Sequence, residues 1–301
     1  MTTLAITGGT GFVGKRLIER ALADGHRVRA LTRRAQPPRE GIAWIAGALD
    51  DGAALSELVA GVDAVIHVAG VVNAPDRAAF AAGNIAGTQA VVDAARTAGI
   101  GRFVHVSSLA AREPQLSAYG WSKHGAEEVV AASGLDWTMV RPTAVFGPGD
   151  MEMREMFRVA KLGLALLPPP GRLAVIHVDD LVRLLLALVA HDPGRVIYEA
   201  DDGRPGGWTH SAFARAIGTA VGRRVLALSL PKPVMLAAAR IDRLTRGTKA
   251  KLTADRVGYF CHPDWTIDPA RAPDPALWVP QIATPDGLAA TAAWYRAHGL
   301  L

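Results

Sequence analysis

The chain has 301 residues, half of them hydrophobic, and its 33 Lys and Arg against 28 Asp and Glu give a net charge of +5. That length buries a sizeable core and excludes a tiny stapled scaffold; the single cysteine, Cys261, excludes an internal disulfide and, with only scattered histidines for company, a zinc site. The basic residues are spread along the chain with no recognisable nucleic-acid module, so no nucleic-acid partner is expected, and a phosphate-bearing small molecule or an anionic membrane surface matches the charge better.

Mean hydropathy is +0.18, yet aliphatic runs such as Leu184–Ala190 fall far short of the roughly 18 residues that span a bilayer. Leu4-Ala5-Ile6 follows the start at once, without the charged and apolar regions of a secretory signal, so a cytoplasmic location is expected.

The first half alternates short β-branched runs with longer helical patterns. Strands are expected at Leu4–Ile6, Arg27–Leu31, Ile42–Ile45, Ala64–Val68, Arg102–Val106 and Trp137–Val140. Between them the spacing predicts helices at Val13–Ala23, Ala53–Val59, Ala78–Ala98 and Tyr119–Ala132, closed by Gly25, Gly61, Gly99 and Gly134. This order predicts an α/β fold, a doubly wound parallel Rossmann sheet. Beyond Arg141-Pro142, loops carry Gly147-Pro148-Gly149 and Pro168-Pro169-Pro170-Gly171. A strand at Leu173–His177, a helix at Asp179–Ala190 and a strand at Val196–Glu199 then read as a return to the main sheet. Helices at Thr209–Val221, Lys232–Arg246 and Asp286–His298 complete the chain. The expected division is 1–146 plus about 172–200 as the cofactor domain, with about 147–171 and 201–301 as a smaller substrate lobe over its reactive end.

Thr7-Gly8-Gly9-Thr10-Gly11-Phe12-Val13-Gly14 joins the first strand to the first helix. Glycines at 8, 11 and 14 remove side chains where the turn is tight, where backbone approaches a pyrophosphate and where helix packs on strand. The helix start, from Thr10 through Phe12 and Val13, offers free N–H groups to phosphate. NAD enzymes keep an acidic residue at the end of the second strand; this chain reads Leu31-Thr32-Arg33-Arg34. Guanidinium grips a 2′-phosphate that a carboxylate would repel. Charge-assisted bonds of about 1.5–3 kcal/mol each favour NADP(H) over NAD(H) by about tenfold or more. Two solvated surface arginines are the alternative.

Ser107-Ser108 ends the fifth strand, and Tyr119 stands one helical turn before Lys123. Both face the crevice at the carboxyl ends of the strands. A lysine cation about 5 Å away at an effective dielectric near 20 would lower a phenol by about two pKa units, making Tyr119 a proton donor in carbonyl reduction and acceptor in oxidation. Alternation along the strand favours Ser108 over Ser107 as the hydroxyl that steadies the substrate oxygen. The catalytic set is then Ser108, Tyr119 and Lys123.

With these motifs in place the chain resembles an extended or atypical short-chain dehydrogenase/reductase. Val65-Ile66-His67-Val68-Ala69-Gly70, Asn84-Ile85-Ala86-Gly87-Thr88, Arg141-Pro142 through Gly149 and His177-Val178-Asp179-Asp180 add to the match. The resemblance implies that Ala69 and Gly70 line the adenosine half and that Pro142 and Val145 meet the carboxamide. Asn84 is either a structural residue or part of a proton relay. The family often places Asp after the Gly that ends the third strand; here Gly47-Ala48-Leu49 stands there, so Leu49 meets the adenine end without that side-chain bond.

The C-terminal lobe is apolar, similar to those of 3β-hydroxysteroid-dehydrogenase-like and dihydroflavonol-reductase-like enzymes. Trp265-Thr266-Ile267-Asp268 and Trp294-Tyr295-Arg296 resemble bacterial ceramide-pathway reductases, which act on a 3-keto group. The expectation is an NADPH-dependent reductase of a hydrophobic long-chain keto-lipid. A sugar-nucleotide epimerase would use the same residues, and an NADPH-holding assembly subunit like that of respiratory complex I is the non-enzymatic alternative. Along Lys232–Arg246, Val234, Ala237, Ile241 and Leu244 share one helical face, with Arg240, Arg243 and Arg246 mainly on the others. Such a face either packs on the core or rests in a membrane interface.

Overall fold

The computed structural model describes residues 2–191, 193–247, 250 and 252–301. In chain order come β1 (Thr3–Thr7), α1 (Phe12–Ala23), β2 (Arg27–Thr32), β3 (Ile42–Ala46), α2 (Gly52–Val59), β4 (Ala64–His67), α3 (Arg77–Phe80), α4 (Gly87–Thr97), β5 (Arg102–Val106), α5 (Ala118–Ala131) and β6 (Asp136–Pro142). There follow β7 (Ala144–Phe146), α6 (Arg154–Lys161), β8 (Leu164–Leu167), β9 (Arg172–Leu173), β10 (Val175–His177), α7 (Val178–Ala190), β11 (Val196–Ala200), β12 (Trp208–Thr209), α8 (His210–Val221), β13 (Leu226–Ser229), α9 (Lys232–Arg246), α10 (Ala254–Phe260), β14 (Asp264–Trp265) and α11 (Thr284–Ala297).

Seven strands form a parallel sheet in the order β11-β6-β5-β4-β1-β2-β3, flanked by helices. β4 is buried at every residue, and β1, β5 and β6 at all but the first, as expected for strands covered on both faces, whereas the edge strand β3 alternates in exposure. α1 turns Gly14, Leu17, Ile18 and Ala21 inward, a three-and-four spacing that lays one stripe on the sheet. Leu55, Leu58, Val65, Val91, Phe103 and Met139 share the core there, and each such side chain contributes about 1.5–3 kcal/mol on burial. Because β1 lies between β2 and β4, the connections leaving the carboxyl ends of β1 and β4 diverge and open a crevice.

Contacts divide the chain into two compact units. The first holds Met1–Pro142, Leu181–Glu199 and Arg271–Val279; the second holds Thr143–Asp180, Ala200–Ala270 and Pro280–Leu301. The second unit packs Phe146, Phe157, Val175, Phe213, Ile217, Leu288 and Tyr295 into its own core. His177 meets Phe146 edge-on at 5.3 Å, and the Asp180 carboxylate accepts from the backbone N–H of Gln281 and Ile282.

Three expectations change. Leu173–His177 is not one strand of the main sheet: β9 pairs with β12 and β14, and β10 with β7, so only β11 returns. The segment 172–180 accordingly belongs to the second unit. The helix expected at Ala78–Ala98 is interrupted by a π-helical turn at Ala81–Ala86 that carries buried Asn84. On α9, Val234, Ala237, Ile241 and Leu244 are exposed, ruling out the core-packed reading of that face; Met235 and Ala239 turn inward against Val257 instead. Among the described residues no helix is long and apolar enough to cross a membrane.

Candidate active site

The loop after β1 is shaped by backbone approach. Gly8 has φ +71°, and a Cβ there would stand 2.7 Å from Ala69 N. A Cβ on Gly14 would stand 2.1 Å from the Gly8 carbonyl oxygen, a separation no side chain accommodates. Gly11 caps α1 and donates its N–H to Gly8 O at 3.0 Å. No acidic residue occupies the first turn of α1, so the N-terminal end presents unsatisfied N–H groups and the positive end of the helix dipole. Thr10 and Gly11 are exposed, and Phe12 and Val13 half-buried. Thr7 Oγ1 accepts from Ala69 N at 3.2 Å, joining the ends of β1 and β4.

From Ala69 the crevice continues to the helix α5. A Cβ on Gly70 would stand 3.3 Å from Asn84 Oδ1 and 3.6 Å from Lys123 Nζ. Lys123 is 4% exposed and donates to the Val106 carbonyl at 2.9 Å. An ammonium has three N–H groups. Burial brings Lys123 down to about 8, against the opposing pull of the Glu127 carboxylate.

Tyr119, in the first turn of α5, is half-buried, with the Phe80 ring 6.1 Å away and the Ser108 hydroxyl hydrogen-bonded to its phenol. Burial raises the phenol and the Ser108 bond opposes it. The expected two-unit lowering by Lys123 is therefore replaced by a rise: withdrawal from water disfavours the phenolate, and the Ser108 bond offsets only part of it. Ser107 points elsewhere, donating to Glu127 Oε1 at 2.5 Å. Asn84 is tied down completely. Its Oδ1 accepts from Val71 N at 2.6 Å, and its Nδ2 donates to Val71 O and to Ser122 Oγ, which in turn donates to Tyr119 O. This asparagine joins the connection after β4 to the helix that carries Tyr119 and Lys123, as a structural residue does.

Sequence reasoning missed the layer beneath. Glu127 lies one helical turn past Lys123 and is 4% exposed. It accepts two bonds from Arg141, at 2.8 and 2.7 Å, besides the Ser107 bond. Arg141 also donates to Glu199 at 3.3 Å, and Arg112 reaches the other Glu199 oxygen at 3.4 Å. The i+8 spacing from Tyr119 to Glu127 was the available signal. Also buried here are His67, bonded to Thr7 and Thr88 and lowered to about 3, and His105, stacked on it at 5.3 Å. Burial, then the Lys123 charge, keeps both imidazoles neutral.

Residues 4–199 match the NAD dependent epimerase/dehydratase family. The chain belongs to that family. It is an extended short-chain dehydrogenase family, as the motifs of the chain suggest. A ceramide reductase from Caulobacter vibrioides is 35% identical, the match covering 99% of this chain and 96% of that protein. A 4-hydroxy-2-methyl-3-oxo-4-farnesyl-3,4-dihydroquinoline-1-oxide ketoreductase from Stigmatella aurantiaca is 30% identical over 66% of this chain and 68% of its own. In fold, a Bordetella bronchiseptica enzyme crystallised with NAD and UDP superposes with a TM-score of 0.77 at 20% identity, covering 100% of this chain and 96% of that one.

The remaining predicted positions of this family member fall as follows. Arg33 and Arg34 are exposed just past β2, beside the glycine loop's strand, and the backbone there is pinned by Arg34 N donating to Thr32 Oγ1. Leu49 is half-buried against the core, close to Gly87. Pro142 ends β6 in the first unit, while Val145 sits in β7 of the second, in register with Ile176. Cys261 is half-buried against Met235, its sulfurs 3.8 Å apart, and burial raises its thiol. His262 faces Trp265.

Proposed function

We propose that this protein is an NADPH-dependent reductase that converts a ketone of a long-chain, ceramide-like lipid to the alcohol, using Tyr119, Ser108 and Lys123. One observation carries the reading: a phenol bonded to Ser108 shares a helix face with a buried ammonium that abuts Gly70, at the end of the crevice opened by the glycine loop. The near end-to-end likeness to a ceramide reductase supports the choice of substrate.

The residues fit a dinucleotide. Gly8 and Gly14 let the loop fold tightly on itself, where a Cβ would strike the backbone of Ala69 or Gly8, and pyrophosphate would lie against the start of α1, held by backbone of Gly8, Thr10, Gly11, Phe12 and Val13. Arg33 and Arg34 would take a 2′-phosphate, Leu49 the adenine, Ala69 and Gly70 the adenosine half, and Pro142 the carboxamide. A bound nicotinamide supplies the hydride. Tyr119 Oη donates its proton to the carbonyl oxygen as the carbon is reduced, so hydride and proton together make the alcohol. Burial, by raising the phenol, keeps that proton in place at neutral pH. Ser108 Oγ steadies the same oxygen and stabilises the phenolate left behind. Lys123, with one N–H on Val106 O, uses the others for ribose hydroxyls and lends the phenolate its positive charge.

The test is NADPH consumption with a 3-keto ceramide and with UDP-sugars, for the native protein and Tyr119→Phe. Consumption with the keto-lipid that the variant loses while still binding NADPH is expected. Tightly held cofactor and sugar interconversion without net consumption would replace the reductase with an epimerase, and NADPH binding with no turnover of either substrate would leave an assembly subunit. An unchanged rate in Tyr119→Phe would overturn the assigned roles.

A further inference from the structure

The second unit exposes leucines where its fold has no use for them. β8 and β13 pair in parallel with Leu164 opposite Leu226 and Leu166 opposite Leu228. Register partners in a parallel pair project to the same face, so these four leucines share one side of the ribbon. Leu167, on the other side, is buried at 5%. Leu164 is half-buried, but the rest of the leucine side is open: Leu166 is 56% exposed, Leu226 62% and Leu228 42%, and Leu162 just upstream is 83% exposed.

The ribbon leads directly into α9. Leu230 N donates to Leu167 O at 2.8 Å, and Pro231 caps the helix. α9 already has its packing face in Met235 and Ala239. On a different face Leu244 is 86% exposed, Ile241 62% and Val234 48%. Exposed apolar rows of this kind, one on the ribbon and one on the helix it leads into, mark a place where a partner sits.

Charge decides which partner. Residues 222–247 contain Arg223, Arg224, Lys232, Arg240, Arg243 and Arg246 against the single acid Asp242, a balance of six minus one, equal to the +5 of the whole chain. All six basic residues are exposed, and Asp242 is engaged by Arg246 at 3.3 Å. A second copy of this surface would meet its own positive charge. Exposed leucines set among arginines suit the boundary between acyl chains and anionic headgroups.

The geometry points to a bilayer surface containing anionic lipid as the occupant of this face, with the β8–β13 leucines and the outer side of α9 entering the interface and the flanking arginines and Lys232 reaching lipid phosphates. This docking concerns the second unit alone and stands apart from the reduction chemistry.

The experiment is vesicle flotation of the full chain, with phosphatidylcholine alone and with equal parts phosphatidylcholine and phosphatidylglycerol. The native protein floats with the anionic vesicles at least about tenfold more tightly than with the neutral ones, and added salt weakens it. Ile241→Glu with Leu244→Glu lowers the affinity about tenfold or more; Arg240→Gln with Arg243→Gln lowers it about fivefold per charge removed. Both pairs are exposed, and an unchanged melting temperature shows that folding is intact. Equal affinity for both vesicles, or none for either, overturns the proposal. So does a dimer in light scattering that Leu244→Glu dissociates, which would make a second copy the occupant.

Discussion

The two units depart from ordinary protein partitioning in opposite ways. The first buries charge: Lys123 at 4% exposure, Glu127 at 4%, Arg141 at 8% and Glu199 at 0%. The second exposes hydrocarbon, with Leu244 at 86% and Leu162 at 83%. Removing an ion from water costs several kcal/mol unless good geometry repays it. The Ser107–Glu127–Arg141–Glu199–Arg112 network supplies such geometry. It secures α5 from beneath, so that Tyr119 and Lys123 stand in fixed positions beside Ser108. The exposed leucines have no internal partner of that kind. Polar groups inside are therefore organised by this chain itself, whereas apolar groups outside await something else.

The comparison is most severely tested at Tyr119. Tyr119→Phe removes one oxygen from the site and should cut turnover by about 10²–10⁴-fold, while NADPH binding measured by fluorescence titration stays within about twofold, since the cradle is backbone. Next comes the buried layer. Glu127→Ala leaves Arg141 without its principal partner and should cost about 3–5 kcal/mol in urea unfolding. A loss below about 1 kcal/mol, the range of exposed pairs, would show that the network is not what holds the site.

Smaller effects sharpen the picture. Arg33→Ala should lose most of an NADPH preference of about tenfold or more; equal titration midpoints for NADPH and NADH in the native protein would remove that assignment. The rate should fall as pH rises through about 8, where Lys123 gives up its proton. Glu127→Gln takes away the carboxylate that opposes the downward shift, so the falling limb should move to lower pH. For stability the sign is the reverse: because the folded value of about 8 lies below the ordinary 10.5, the contribution of Lys123 improves as pH rises between them and is lost as pH falls through 8. Smallest of all, Leu244→Glu should change unfolding free energy by no more than about 0.5 kcal/mol. A large loss there would mean that the leucine is part of the core and would erase the contrast between the units.

Local pattern made much of the first unit legible. β-branched runs separated by helical periods mark the strands, and the turn after β1 needs glycine for steric reasons visible in the spacing of Gly8, Gly11 and Gly14. That Ser107 and Ser108 point to opposite sides follows from alternation, Ser108 towards Tyr119 and Ser107 towards Glu127. What escaped depends on pairing across distance. Glu127 and Arg141 are 14 residues apart and Arg141 and Glu199 58, so no local period reveals that they meet. Val175–His177 looks like any buried strand, and nothing in its own residues reveals that it pairs with β7 instead of joining the main sheet. The direction of the Tyr119 shift also required burial, since the lysine is visible in sequence and the surrounding desolvation is not. On α9 the periodicity of Val234, Ala237, Ile241 and Leu244 was plain, but not whether that face turns inward.

Hydride delivery is tested most directly by incubating the protein with a 3-keto ceramide and NADPH deuterated at the transferable position of its nicotinamide, then weighing the product alcohol by mass spectrometry. One deuteron on the carbinol carbon of the lipid, and none when Tyr119→Phe replaces the native chain, is the predicted result. Unlabelled alcohol, or label appearing equally with the variant, would contradict reduction by this site.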